Sequence, residues 1–167
     1  MRQSDALFYD LAGSITYEPD EKSRIKTFGY YSRDQFSLSS TNDYVYSNAG
    51  ASVIFNHRFN SRLSGNLSAV FGEYAFQTID ETVQSYAFRH QYRINHYELK
   101  ADFTWLSLGA HRLTFGGNVN YYMLNRGLVE PFGEMSLRFP VNLGREDGLE
   151  TSIYIADEIS LTPRLTL

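Results

Sequence analysis

The chain contains no cysteine. That excludes a disulfide framework and any thiolate-bound metal. It contains no block of basic residues, and its formal net charge is -4. A nucleic-acid footprint needs a basic stripe or patch, so no nucleic-acid partner is expected. No stretch approaches the roughly 18 apolar residues of a spanning helix. Met1-Arg2-Gln3-Ser4-Asp5 is followed by no apolar run, so it does not read as a signal peptide. Gly-x-Ser-x-Gly, His-Glu-x-x-His and phosphate-loop motifs are all missing. Tryptophan occurs once.

Aromatic residues are plentiful instead: 13 Tyr and 12 Phe among 167 residues. An excess of tyrosine suits rings placed between apolar and wet surroundings. The hydrophobic pattern has a period of two. Leu113, Phe115, Gly117, Val119, Tyr121 and Met123 alternate with Thr114, Gly116, Asn118, Asn120 and Tyr122. Tyr97, Leu99, Ala101, Phe103 and Trp105 alternate with Glu98, Lys100, Asp102 and Thr104. Similar runs occupy 7–17, 48–55 and 63–71. Such alternation marks strands with two different faces. The facing of Ser23–Tyr31 and Thr151–Glu158 stays open, because Ile153 and Ile155 share a parity with Asp157.

Length separates soluble from membrane strands. Soluble strands usually run about five or six residues. A strand of about 13 residues, tilted near 45°, rises about 30 Å and crosses an apolar band about 25 Å tall. A charge at the bilayer midplane costs up to about 2–4 kcal/mol. Glu98, Lys100 and Asp102 are therefore expected to face a lumen, with Leu99, Ala101 and Phe103 facing lipid. Tyr17, Tyr97, Trp105 and Tyr121 are expected near strand ends, where aromatic girdles lie. A mean hydropathy of -0.36 is compatible, since half of each barrel strand faces away from lipid.

The breaks alternate in length. Pro19–Lys22, Asn60-Ser61, Leu106–Ala110 and Leu161–Pro163 are short, whereas Gln35–Tyr46, Gln77–Tyr86 and Asn125–Gly148 are longer. Tight turns at one rim and larger loops at the other are a barrel habit. The reading is all-β: a partial transmembrane antiparallel barrel of seven up-and-down strands and the start of an eighth at Arg164.

Several segments resemble the barrel of TonB-dependent outer-membrane receptors, particularly the carboxypeptidase-regulatory-like, plug-containing members of Bacteroidetes. They are His111-Arg-Leu-Thr-Phe-Gly-Gly, Tyr121-Tyr122, Asn125-Arg-Gly, and Ser152 through Leu167. Phe28–Asp34 and Asn56–Asn60 are similar too. The resemblance implies a 22-stranded barrel with an internal plug, importing a scarce nutrient (siderophore, haem, cobalamin or oligosaccharide). It also implies coupling to the TonB complex through a plug segment absent here. The expectation is that 1–167 is a barrel fragment in the bacterial outer membrane, with lipid and a small nutrient as partners, no cofactor and no enzymatic activity. The alternatives are a stand-alone eight-stranded structural or adhesion barrel and a soluble calyx binding a small ligand.

Candidate ligand-binding residues follow from the longest loop and the polar face below it. Arg126, Glu130, Phe132, Glu134 and Arg138 combine charge with an aromatic ring, and Asn118, Asn120 and Tyr122 lie beneath. Such a mixture suits a sugar or chelate; an ordinary solvated loop and polar lumen is the plainer reading. Of the histidines, His90 and His96 share a strand parity, but neither a carboxylate nor a third histidine is placed to complete a metal site. His111 belongs at the periplasmic rim. Asp80-Glu81, Glu146-Asp147 and Asp157-Glu158 are adjacent pairs whose members point apart on a strand or are solvated in a loop.

Overall fold

A computed structural model describes residues 4–38, 41–107, 110–162 and 164–167. The described chain is a single antiparallel sheet. Its strands are β1 (Asp5–Asp20), β2 (Ser23–Leu38), β3 (Asn42–Arg58), β4 (Leu63–Asp80), β5 (Phe88–Leu106), β6 (His111–Pro131), β7 (Val141–Asn142), β8 (Arg145–Thr162) and β9 (Leu165–Thr166). A 3₁₀ turn spans Gln84–Tyr86. The spatial order is β1-β2-β3-β4-β5-β6-β8-β9, with β7 paired to β6. The sheet is all up-and-down and does not close, since β1 pairs only with β2 among the described residues. The expected seven strands and the start of an eighth are therefore present.

The strands are longer than the alternation indicated. β6 has 21 residues and the shortest of the seven long strands has 16. Three expectations change with this. Gln35–Tyr46 is mostly strand, with only 39–41 between β2 and β3, so the first connection at that end is short. Arg126 and Glu130 belong to β6 rather than to a loop. Tyr97 and Tyr121 sit well inside β5 and β6, not near their ends. The cause is the same throughout. Beyond the apolar stretch both faces carry polar or aromatic residues, so pairing continues where the alternation has faded. Gly109 and Pro163, expected in turns, lie outside the described residues.

The register sorts every side chain onto one of two faces. Tyr17, Ile25, Phe55, Leu67, Ala101, Gly117 and Ile153 form one cross-strand row. The next row is Ile15, Thr27, Val53, Ala69, Leu99, Val119 and Thr151. On the opposite face lie Lys26, Ile54, Ser68, Lys100, Asn118 and Ser152, then Phe28, Ser52, Val70, Glu98, Asn120 and Glu150. The ambiguous segments are thereby placed: Ile25 and Tyr31, and Ile153 and Ile155, join the apolar face. Asp157 shares that face near the turn end, where it accepts from or ion-pairs with His111 Nδ1 at 2.7 Å.

Among the described residues no second layer covers either face. Ala87 is the one buried apolar residue among those described. Ile153 is 92% exposed and Leu11 73% exposed. A water-soluble domain buries the apolar side of a sheet against another layer. This sheet leaves it open over seven strands.

Candidate functional site

The polar face is organised around two clusters. Toward the turn end, Asp102 of β5 is held by two side chains. Lys100 Nζ lies 3.0 Å from its carboxylate, and the Tyr154 hydroxyl of β8 donates to it at 2.7 Å. Tyr154 reaches Asp102 by crossing β6 at Gly116. A Cβ on Gly116 would sit 2.3 Å from the Ala101 carbonyl oxygen, 2.9 Å from Asp102 Oδ1 and 3.0 Å from the Tyr154 ring. Glycine is therefore required for the crossing, not for a phosphate cradle. Asn66 Nδ2 donates to Asn56 Oδ1 at 2.8 Å in the same row, and a groove of about 540 Å³ opens there between Arg24, Asn56, Asn66 and Asp102.

Toward the loop end the same face carries an aromatic ladder. Phe36 stacks on Tyr44 at 4.9 Å and on Tyr46 at 5.7 Å. Tyr46 meets Phe76 at 5.0 Å and Tyr74 at 6.4 Å. Tyr92 meets Phe76 at 4.9 Å and Tyr74 at 5.9 Å, with His90 at 5.7 Å. Four strands thus share one patch of half-buried rings. Pairs of this kind contribute about 0.5–1.5 kcal/mol each beyond burial. Just below, Gly50 and Gly72 leave the backbone bare, and His96 stacks on Tyr122 at 4.8 Å. Sequence reasoning missed the ladder because Gln35–Tyr46 read as a loop. The spacing of Tyr44 with Tyr46 and of Tyr74 with Phe76 was the available signal.

The candidate residues divide among three places. Asn118, Asn120, Tyr122 and Arg126 share the polar face. Asn118 Oδ1 accepts from Ser152 Oγ, and the Tyr122 hydroxyl donates to Glu150 at 3.5 Å. Asn120 Oδ1 and His96 Nε2 are buried with no protein partner. Arg126 ion-pairs with Glu146 at 3.1 Å beside a bulge. Gly127 makes that bulge possible: its φ is +93°, and a Cβ there would overlap the Gln91 carbonyl oxygen at 1.6 Å. Glu130 pairs with Arg89 on the opposite face, away from the asparagines.

Phe132 and Arg138 serve the loop itself. The Arg89 guanidinium lies over Phe132 at 5.0 Å, and that of Arg138 over Phe88 at 4.3 Å. Ser136 Oγ and the Phe132 N–H both donate to the Ala87 carbonyl, at 2.7 and 3.1 Å. Residues 132–138 are thus stapled onto the segment before β5. The ring and guanidinium offered as ligand contacts already hold partners.

One arrangement has the composition of a hydrolytic triad without its order. Ser23 Oγ lies 2.8 Å from His57 Nδ1 and donates to Asp20 Oδ2 at 3.1 Å. A nucleophile needs the histidine between serine and carboxylate. Here the serine sits between them. Asp20 instead closes the β1–β2 turn, accepting from the Lys22 N–H at 2.7 Å, and this bond foremost holds its carboxyl below the usual range. Among the described residues no three His, Asp or Glu side chains gather to hold a metal. His90 Nε2 faces the Arg126 carbonyl at 3.1 Å, separately from His96.

Compared with known families, curated proteins and solved structures, the chain finds no match to any family model, curated sequence or solved structure.

Proposed function

We propose that this chain forms part of the wall of an outer-membrane β-barrel that imports a scarce nutrient, in the manner of the TonB-dependent receptors its motifs resemble. The observation that carries the proposal is the uncovered apolar face. A one-layer sheet with seven strands of 16 or more residues has no protein core to pay for its folding. Lipid against that face supplies the missing apolar partner.

The distribution of charge agrees. Along β5 the apolar face carries no charge between Arg93 and Trp105, and along β8 none between Asp147 and Asp157. At about 3.3 Å per residue and a tilt near 45°, these spans rise about 28 and 23 Å, close to the height of a barrel's apolar band. Tyr9 and Tyr31, 6.1 Å apart, mark one margin, whereas Tyr97 and Tyr121, 6.3 Å apart, lie inside the band. Trp105 lies toward the other. The polar face then lines the lumen, with the aromatic ladder near its loop-end mouth and Asn118 and Asn120 at mid-height. Rings beside amide and hydroxyl groups suit a solute that is partly apolar and partly hydrogen-bonding. A soluble calyx would bury the apolar face inward and leave Glu98, Lys100 and Asp102 outside. The length of the strands and the apolar exposure on both edges weigh against it.

The test is fractionation of cells carrying an epitope-tagged copy of the gene. The tagged protein is expected to sediment with outer membranes and to resist alkaline extraction. Its deletion is expected to impair growth on a limiting nutrient only when TonB is functional. A soluble tagged protein would refute the membrane reading. An embedded protein whose loss leaves TonB-dependent growth unchanged would refute the import reading alone.

A further inference from the structure

The lipid-facing side carries a second feature just beyond its apolar band. The row there is Tyr9, Arg33, Ser47, Ala75, Arg93, Asn125 and Arg145. Ser47 and Ala75 are small, and they lie between the two arginines of β2 and β5. A groove of about 470 Å³ opens on this row, lined by Arg33, Ser47, Ala75, Gln77, Arg93 and Asn125. We propose that this groove is a binding site for the phosphate headgroup of a membrane lipid, with Arg33 and Arg93 as its two cationic walls. The inference rests on the membrane reading of the apolar face.

Two observations support it. Arg33 has no carboxylate within ion-pair distance among the described residues. The ion pair of Arg93 with Glu73 is long, 3.6 Å from Nε, with no hydrogen bond between them, so the guanidinium remains open to another acceptor. A guanidinium with a free edge matches the oxygens of a phosphate. Arg145, farther along the row, is committed to Asp147 at 2.8 Å and adds little.

The surface below the groove fits an acyl chain. Ala49 and Ala51 follow Ser47 along the apolar side of β3, flanked by Tyr31 and Gly29 on β2 and by Glu73 and Phe71 on β4, the Glu73 carboxylate being turned to Asn95 Nδ2 and Arg93 at 3.1 and 3.6 Å. A headgroup held at Arg33 and Arg93 would let its chain run down this low track onto the apolar band. Position also decides the kind of occupant. A soluble anion has no reason to prefer a groove that opens onto lipid, whereas a phospholipid presents its phosphate at that level. Basic residues at a membrane surface each favour anionic lipid roughly fivefold.

The experiment uses the whole chain reconstituted into phosphatidylcholine vesicles, with spin-labelled phosphatidic acid or spin-labelled phosphatidylcholine as probe. Electron paramagnetic resonance reads the motionally restricted fraction of each. Phosphatidic acid is expected to be restricted roughly fivefold more strongly per engaged arginine, and the preference is expected to fall in Arg33→Gln and further in Arg33→Gln/Arg93→Gln. Lys26→Gln, which removes the same charge from the opposite face, is expected to keep it. Equal restriction of the two lipids, or an unchanged preference in the double variant, overturns the lipid site. So does displacement by excess inorganic phosphate, which would make it a site for a soluble anion. Protease protection reports insertion independently: a chain that enters no vesicle overturns the barrel reading and the lipid site together, whereas an inserted chain without preference overturns the lipid site alone.

Discussion

Arginine placed at Leu99 tests which face meets lipid. Leu99 is 64% exposed and lies midway along the charge-free part of β5, six residues from Arg93 and six from Trp105. At about 3.3 Å per residue and a 45° tilt, that puts it about 14 Å from each margin, close to the bilayer midplane. An arginine there costs about 2–4 kcal/mol. Asn118 lies one strand away at almost the same height but on the polar face. An arginine at Asn118 points into a wet lumen and is expected to cost under about 1 kcal/mol. Both variants would be refolded into phosphatidylcholine vesicles and unfolded in guanidinium chloride, with the single tryptophan, Trp105, as the fluorescent reporter. Folded domains have about 5–15 kcal/mol in hand, so the Leu99 penalty would shift the midpoint clearly. A tolerated Leu99→Arg beside a costly Asn118→Arg would invert the faces and refute the reasoning.

Three further perturbations address separate parts of the molecule. Gly116→Val is expected to destabilise the inserted chain by about 3–5 kcal/mol, by crowding β5 and by parting Tyr154 from Asp102, whereas Tyr154→Phe should lose only the hydrogen bond, about 1.5–3 kcal/mol; equal effects in the same unfolding assay would argue against the crossing. Arg138→Ala removes one of the two stacked cations at the loop end, worth about 0.5–1 kcal/mol, so amide exchange should quicken in 132–138 and stay unchanged in β3 and β4; uniform quickening would contradict a local staple. Asp20 has its carboxyl held below the usual range chiefly by the Lys22 N–H, so its contribution is present above the unfolded-state value near 3.8 and is lost as the pH falls through the lower folded value. The stability gap between wild type and Asp20→Asn should therefore be constant at neutral pH and close on acidification, and a gap that persists at acid pH would exclude the carboxylate as its source.

Much of the sheet was legible in the residues alone. Alternation in 97–105 and 113–123 identified strands with an apolar and a polar side, because a pleated strand turns successive side chains to opposite faces. The short turns at Lys22 and Asn60 were legible for a related reason: the Asp20 carboxylate and the Asn60 side-chain amide oxygen accept from N–H groups two or three residues on. Where both faces are polar or aromatic, that signal disappears. The loop-end halves of β2, β3 and β6 were therefore lost, and with them the aromatic ladder and the true position of Arg126.

The sequence by itself determined the fold class, the up-and-down order and the parity of five of the seven long strands, since these depend on local period and turn chemistry; the facing of β2 and β8 came only with the register. Only the tertiary structure decided register, and register decides which distant residues become neighbours. It set Tyr154 over Gly116 against Asp102, gathered Phe36, Tyr46, Phe76 and Tyr92 from four strands, and put Glu130 on the face opposite Asn118. It also aligned Arg33 and Arg93 across a floor of small residues. Backbone pairing over 16 or more residues supplies that long-range order, because a slip of one residue would turn each strand's apolar set to the wrong face.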